Sequence, residues 1–282
     1  MSNAFVVMPM NQKVSLKPGE TYTGKITVAN PSDAEGDFAY KISVAPYSVV
    51  GEEYKADLAT KSNRSMMVDW ITVDKSAGVL KPNETVDINF TIKVPESAPA
   101  GGQYASILVT EDAEVAASQG LSLNSVFEMA SLIYADVAGE TVRGGEIQEN
   151  TIPGFVISTP VTVEALMTNT GNVHQAATIV LEVKDLFTGK VILPTEQNAG
   201  RYSEVIMPET TRRTSYEVAD LPAVGIVGIT QTIYYNGETS VETKNVIICP
   251  VWFVVVMLIL LVGILSGIIA LIKNRRKKRA VF

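Results

Sequence analysis

The chain has 282 residues and a net charge of −7, with 23 Lys and Arg, 30 Asp and Glu, one His and one Cys. Six of the cations fall in Lys273–Arg279, which leaves residues 1 to 272 with 17 cations against 30 acids, a balance of −13. An acidic surface of that size repels phosphate backbones and excludes nucleic acid as a partner. A single histidine and a single cysteine exclude multi-histidine metal sites, cysteine zinc sets and an intrachain disulfide.

The start, Met1-Ser2-Asn3-Ala4-Phe5, has neither the cationic beginning nor the apolar run of a secretory leader. An outward-facing amino terminus therefore requires a leader that precedes this start or has been removed. From there the chain is written in period two. Tyr22, Gly24, Ile26 and Val28 alternate with polar residues, as do Phe38, Tyr40, Ile42 and Val44 before Pro46, and Val86, Ile88, Phe90, Ile92 and Val94. Alternation gives each strand a core side and a wet side, as in a two-sheet sandwich. Leu16-Lys17-Pro18-Gly19-Glu20-Thr21 returns as Leu80-Lys81-Pro82-Asn83-Glu84-Thr85. Pro followed by Gly or Asn is the type II turn signature, and the two copies read as equivalent turns at one end of a sandwich.

Between Tyr47 and Val68 the alternation fails over a length too great for a hairpin turn, so the stretch reads as an inserted loop. Tyr47, Tyr54, Asn63 and Arg64 are its candidate binding residues, because exposed aromatics stack on sugars and anchor interfaces. Trp70, Ile71 and Val73 restart a strand, with Trp70 plugging the core. Glu96 to Gly102 is a turn and Gln103 to Val109 a strand. Glu111 through Gly120 is a second excursion, in which Glu111, Asp112 and Glu114 read as a solvated acidic turn because they lack the spacing and glycine of a calcium loop. Ser125 to Val137 closes the first sandwich.

Gly144-Gly145 and Pro153-Gly154 mark the passage to a second domain. Val161, Val163 and Ala165 open it, Asn169-Thr170-Gly171-Asn172 turns, and Ile179, Leu181 and Val183 form a strand that ends at Thr188-Gly189. His174, beside that turn, reads as a solvated side chain. Ile229 to Tyr235 and Thr239 to Val246 flank Asn236-Gly237, a strong hairpin signal. Then come 22 uncharged residues, Val251 to Ile272, about 33 Å of helix against about 30 Å of bilayer hydrocarbon. Cys249 lies at their edge. Trp252 sits where interfacial aromatics sit, and Lys273, Arg275, Arg276, Lys277, Lys278 and Arg279 follow, suited to anionic lipid heads. The charge asymmetry places this tail in the cytoplasm and the preceding residues outside the cell.

The expected architecture is all-β, two immunoglobulin-like β-sandwich domains in series followed by one C-terminal transmembrane helix. The sandwiches occupy 1–140 and 146–247, the span 248–272 and the basic tail 273–282. No catalytic constellation, cofactor site or metal site stands out. The chain reads as a non-enzymatic, single-pass surface protein of the cell membrane. Its partners are membrane lipid, through the span and tail, and cell-wall glycan or another surface protein, through sandwich loops.

At Leu16-Lys17-Pro18-Gly19, Asn30-Pro31-Ser32-Asp33, Leu80-Lys81-Pro82-Asn83 and Ala98-Pro99-Ala100-Gly101-Gly102-Gln103-Tyr104 the chain resembles the WxL-interacting proteins of Gram-positive cell walls. The resemblance implies a signal peptide, a peptidoglycan-binding immunoglobulin-like domain, a second partner-binding sandwich, one span and a short basic tail. Asn30-Pro31-Ser32-Asp33 is also similar to the major sperm protein domain, a seven-stranded sandwich that is often tail-anchored. That second resemblance implies the alternative function, a cytosol-facing adaptor that recruits acidic peptide motifs through a basic groove.

Overall fold

The computed structural model describes residues 5–34, 36–112 and 127–279, the last seven of these by backbone alone. The expected excursion beyond Asp112, including Glu114, lies outside the described residues, as do Ser125 and Met1–Ala4. The chain divides into two compact units. The first comprises Met1–Gly145 together with Thr168–Gln175 and Val205–Arg212; the second comprises Glu146–Met167, Ala176–Glu204 and Arg213–Phe282.

The strands of the first unit are β1 (Val6–Met8), β2 (Asn11–Leu16), β3 (Thr21–Ala29), β4 (Phe38–Pro46), β5 (Ser48–Val50), β6 (Lys55–Asp57), β7 (Ile71–Val73), β8 (Ala77–Leu80), β9 (Thr85–Lys93), β10 (Gly101–Glu111) and β11 (Glu128–Val137). They form a sheet β1-β3-β9-β7 and a sheet β2-β11-β10-β4-β8, with β5 and β6 as a separate hairpin. This is an immunoglobulin-like sandwich. Period two is obeyed: Ile26 and Val28 of β3 and Ile88, Phe90 and Ile92 of β9 are buried, and meet Ile42, Ala105, Ile107, Val109, Ile133 and Ala135 from the other sheet. Trp70, directly after the 3-10 turn Met66–Asp69, is buried in the same core.

The two Leu-Lys-Pro turns have the same internal bonding. Lys17 N–H donates to Glu20 Oε2 at 2.7 Å and Lys81 N–H to Glu84 Oε2 at 2.8 Å. Gly19 and Asn83 occupy the positive-φ position at 77° and 68°, as a type II turn demands. Contrary to the expectation from sequence, they do not share one end of the sandwich. Each turn launches one strand of the antiparallel pair β3–β9, in which Thr21 stands beside Lys93 and Ala29 beside Thr85. Antiparallel strands begin at opposite ends, so the turns do too.

Beside the second turn, Asn30 is buried, and its Nδ2 donates to the carbonyls of Gly36 and Leu80, each at 3.0 Å. Its own carbonyl accepts the Asn83 N–H at 2.9 Å. The Asn30-Pro31-Ser32-Asp33 motif therefore fastens the β3–β4 connection to the turn ahead of β9.

The later strands are β12 (Gly145–Thr151), β13 (Phe155–Val156), β14 (Val161–Asn169), β15 (Gln175–Asp185), β16 (Val191–Leu193), β17 (Arg201–Ile206), β18 (Thr210–Val218), β19 (Gly225–Tyr235) and β20 (Glu238–Ile248). One sheet runs β12-β14-β18 and the other β13-β20-β19-β15-β16, with β17 added on β15. Val161, Val163, Ala165, Ile179, Leu181, Val183, Val227, Ile229, Ile233, Val246 and Ile248 are buried. Asn236 and Gly237 both have positive φ, 49° and 80°, the requirement of a two-residue type I′ turn. Helix α1 (Val251–Arg279) follows β20. Its segment Val251–Ile272 is long and apolar enough to cross a membrane and has no burial within the structure. Trp252 near its start is exposed and its ring meets Phe253 edge-on, while Lys273, Arg275, Arg276, Lys277, Lys278 and Arg279 continue the same helix.

Replacing Asn30 with Ala removes one buried and one part-buried hydrogen bond and is expected to lower unfolding stability by about 1–3 kcal/mol. Ser32→Ala, two residues along, should leave the urea midpoint unchanged.

Candidate functional site

Strand β10 departs from the pattern of its neighbours. Gly101 through Val109 are all buried, on both faces of the strand. Ala105, Ile107 and Val109 enter the core. The opposite face carries Tyr104, which stands beside Tyr134 of β11 and is fully buried. Tyr47 follows Pro46, the partner of Ala105, so three tyrosines gather on this outer face. The rings of Tyr47 and Tyr104 lie 6.0 and 5.6 Å from Tyr134, both edge-on, the geometry aromatic quadrupoles favour.

Pro46 also explains how Asn63 and Arg64 reach the site. Proline has no N–H, so it is a natural end for a ladder, and β4 leaves β10 there. The side of β10 left open is filled by the inserted stretch and by the segment 168–175. Tyr104 N–H donates to the Arg64 carbonyl at 2.8 Å and Gly102 N–H to the Asn172 carbonyl at 2.7 Å. Gln103 Nε2 donates to the Asn63 carbonyl at 2.9 Å. The paired glycines are required by this approach: a Cβ on Gly101 would stand 2.4 Å from Asn172 O, and one on Gly102 would stand 2.0 Å from the Tyr104 hydroxyl.

The stretch from Tyr47 to Val68 is thus more than a loop. It holds the β5–β6 hairpin, turned at Gly51 and Tyr54 with φ of 72° and 57°. Tyr54 uses its hydroxyl internally, accepting the Met207 N–H at 2.9 Å and bonding to Thr210 Oγ1. The Arg212 guanidinium lies 4.6 Å over its ring, a cation–π contact. Burial pushes the Tyr54 phenol above its ordinary range.

A pocket of about 330 Å³ opens in the first unit among Tyr47, Ser62, Asn63, Arg64, Tyr104 and Glu209, with Thr210 also on its wall. Arg64 is held in place by Nη2 donating to Glu209 Oε1 at 2.5 Å. Asn63 is exposed and Tyr47 half-buried, so an aromatic ring, an amide, hydroxyls and an ion pair line one concave surface. Of the four residues expected from sequence, Tyr47, Asn63 and Arg64 line the pocket and Tyr54 braces the segment 207–212 that forms its far wall. Tyr104, Glu209 and Thr210 were not expected. Glu209 lies 145 residues from Arg64 in the chain and Thr210 follows it, and no local pattern marks them as part of a site.

His174 is not solvated, contrary to the sequence expectation. Its side chain is only 10% exposed, with the rings of Tyr104 and Tyr134 at 5.9 and 5.5 Å. The Tyr104 hydroxyl accepts the His174 backbone N–H at 3.0 Å and lies 3.3 Å from Nδ1. The carbonyl of Asn172 is bound by Gly102, and this draws the turn before His174 against the tyrosines. Asp112 is likewise no solvated acid: it is buried and paired with Lys41 at 3.1 Å, while its N–H donates to the Ala39 carbonyl. Among the described residues no group of three or more His, Cys, Asp or Glu is placed to hold a metal ion.

No family model and no curated protein matches the chain. Solved structures similar to it include the class 5 fimbriae chaperone CfaA, at 14% identity over 86% of this chain and 99% of that one, TM-score 0.39. The E. coli chaperone DraB is similar at 13% identity over 86% and 96%, TM-score 0.39. The CsuC–CsuE chaperone-tip adhesion subunit complex of Acinetobacter baumannii is similar at 11% identity over 86% and 99%, TM-score 0.41.

Burial lowers the His174 pKa below 6.5; Asp136 opposes the shift, and Lys13 and Arg143 reinforce it. A depressed histidine is protonated first in the unfolded chain, so stability falls as pH drops below 6.5 toward the folded value. The unfolding midpoint is expected to decline between about pH 7.5 and 5.5, and His174→Gln should flatten that decline in urea titrations.

Proposed function

We propose that the chain is a single-pass, membrane-anchored surface protein whose first unit holds a segment of cell-wall glycan in the pocket of Tyr47, Asn63 and Arg64, without chemical conversion. The observation that carries this reading is the pocket wall. Sugars are bound by stacking on an aromatic face and by planar polar groups that donate and accept at fixed angles, and Tyr47, Asn63 and the Arg64–Glu209 pair supply both. The resemblance to WxL-interacting proteins supports peptidoglycan as the glycan. The cationic residues after Ile272, with one cation in the 20 residues before Val251, support an outward-facing amino-terminal part.

Cosedimentation of the detergent-solubilised full chain with purified cell walls tests the reading. Asn63→Ala, at an exposed side chain, should weaken retention at an unchanged melting temperature, and adding Tyr47→Ala, which also removes an edge-on contact with Tyr134, should bring the loss to about tenfold. Tyr54 is left intact because its hydroxyl and ring hold the wall together. Undiminished retention sinks the glycan site and leaves a surface protein as the partner. Protease shaving of whole cells tests orientation: loss of the β units with survival of the tail supports the outward reading, and the reverse supports the cytosolic adaptor.

A further inference from the structure

The outer face of the sheet β13-β20-β19-β15-β16 changes character as it nears α1. Thr230 stands between Thr243 and Glu182, and the next outward rung is Asn245, Gly228 and Lys184. Both rungs are polar. The last rung pairs Ile247 with Ile226 and, through β13, with Phe155. Leu186 joins this row by donating its N–H to the Ile226 carbonyl at 3.0 Å. Four apolar side chains thus cross four strands' width at the end of the sheet where α1 begins. Val241 and Tyr234, exposed farther up, each stand beside a threonine and form no such row.

Two more residues extend the row toward the helix. Ile157 follows Val156, the partner of Ile248. Phe187 lies level with Gly225, which also pairs with Ile248; a Cβ there would stand 3.9 Å from the Phe187 ring. Phe155, Ile157 and Phe187 are 56%, 57% and 74% exposed. The exposure of Phe187 is built in. Asp185 Oδ1 accepts the N–H groups of Phe187 and Thr188 at 2.8 and 3.2 Å, and the Gly189 N–H closes the turn on the Asp185 carbonyl at 2.9 Å.

The connection to α1 is short. Only Cys249 and Pro250 separate β20 from the helix, and Cys249 N–H is still bonded to the Val156 carbonyl at 3.0 Å. Three residues from Ile248 to Val251 reach at most about 11 Å. The headgroup layer and upper acyl chains lie within that reach of a span that starts at Val251, and they favour aromatic and apolar side chains on an otherwise polar surface.

We infer that this end of the second unit lies in the interfacial layer of the bilayer, with Phe155, Ile157, Leu186 and Phe187 entering the lipid. The inference rests on reading α1 as a membrane span. Its partner is the lipid surface itself, and the second unit is seated on the membrane instead of standing off it.

Spin labelling of the full chain in phosphatidylcholine–phosphatidylglycerol nanodiscs tests it. In a Cys249→Ser background, single labels are placed by Phe155→Cys, Phe187→Cys, Thr239→Cys at the far end of β20, and Val262→Cys within α1. Collision with dissolved oxygen relative to an aqueous nickel chelate reads depth. The ratio at 155 and 187 is expected to rise several-fold above that at 239, with the highest value at 262. A ratio at 155 and 187 equal to that at 239, with 262 still shielded from nickel, overturns the interfacial seat while the span stands. Nickel access at 262 overturns the span and the seat together. All four labelled positions are exposed and Cys249 is half-buried, so a folded second unit is expected and is checked by an unchanged melting temperature.

Discussion

A strand buried on both faces has no water beside it, so each N–H and C=O must find a partner in the protein. β10 is in that position from Gly101 to Val109. One of its sides is covered along its length by β11, but the other is covered by β4 only from Ala105 onward. The remaining donors, Gly102 N–H and Tyr104 N–H, are met by Asn172 and Arg64. Those two bonds bring the inserted stretch and the 168–175 segment against the tyrosine row. Without them the pocket loses Asn63 and Arg64 from its wall and His174 loses its cover.

The same demand explains the Ala98–Tyr104 motif. Gly101 and Gly102 read in the sequence as turn residues. In the structure they are the first residues of β10, and their missing side chains admit the Asn172 carbonyl and the Tyr104 hydroxyl. Tyr104 in turn holds both the backbone and the ring of His174. Fold and site are therefore built on one local feature, the absence of Cβ atoms at two adjacent positions.

Strand positions were legible wherever one face is dry and the other wet, as in β3, β9 and the β19–β20 hairpin, because burial on a single face writes itself as alternation. β5 and β6 left no such trace, since their hairpin lies outside both main sheets and buries little. Turn chemistry was legible too: Pro18-Gly19 and Pro82-Asn83 gave the turn type. Their location was not, because antiparallel pairing of the strands they launch is a long-range fact. Tyr47, Asn63 and Arg64 could be singled out from their composition within an irregular stretch, whereas Glu209, Thr210 and the burial of His174 depend on contacts far apart in the chain. Asp112 looked solvated for the same reason: its partner Lys41 lies on another strand.

The junction at Cys249-Pro250 has a mechanical meaning. A pull on α1 enters the second unit through β20, whose residues Glu238 to Ile248 are paired in continuous register with β19. The component of that pull along the strand loads the rungs in parallel, so they resist it together instead of parting one at a time as in a peeled strand. The second unit is thereby attached to its helix by its longest hairpin, so load on the membrane side is shared over many rungs.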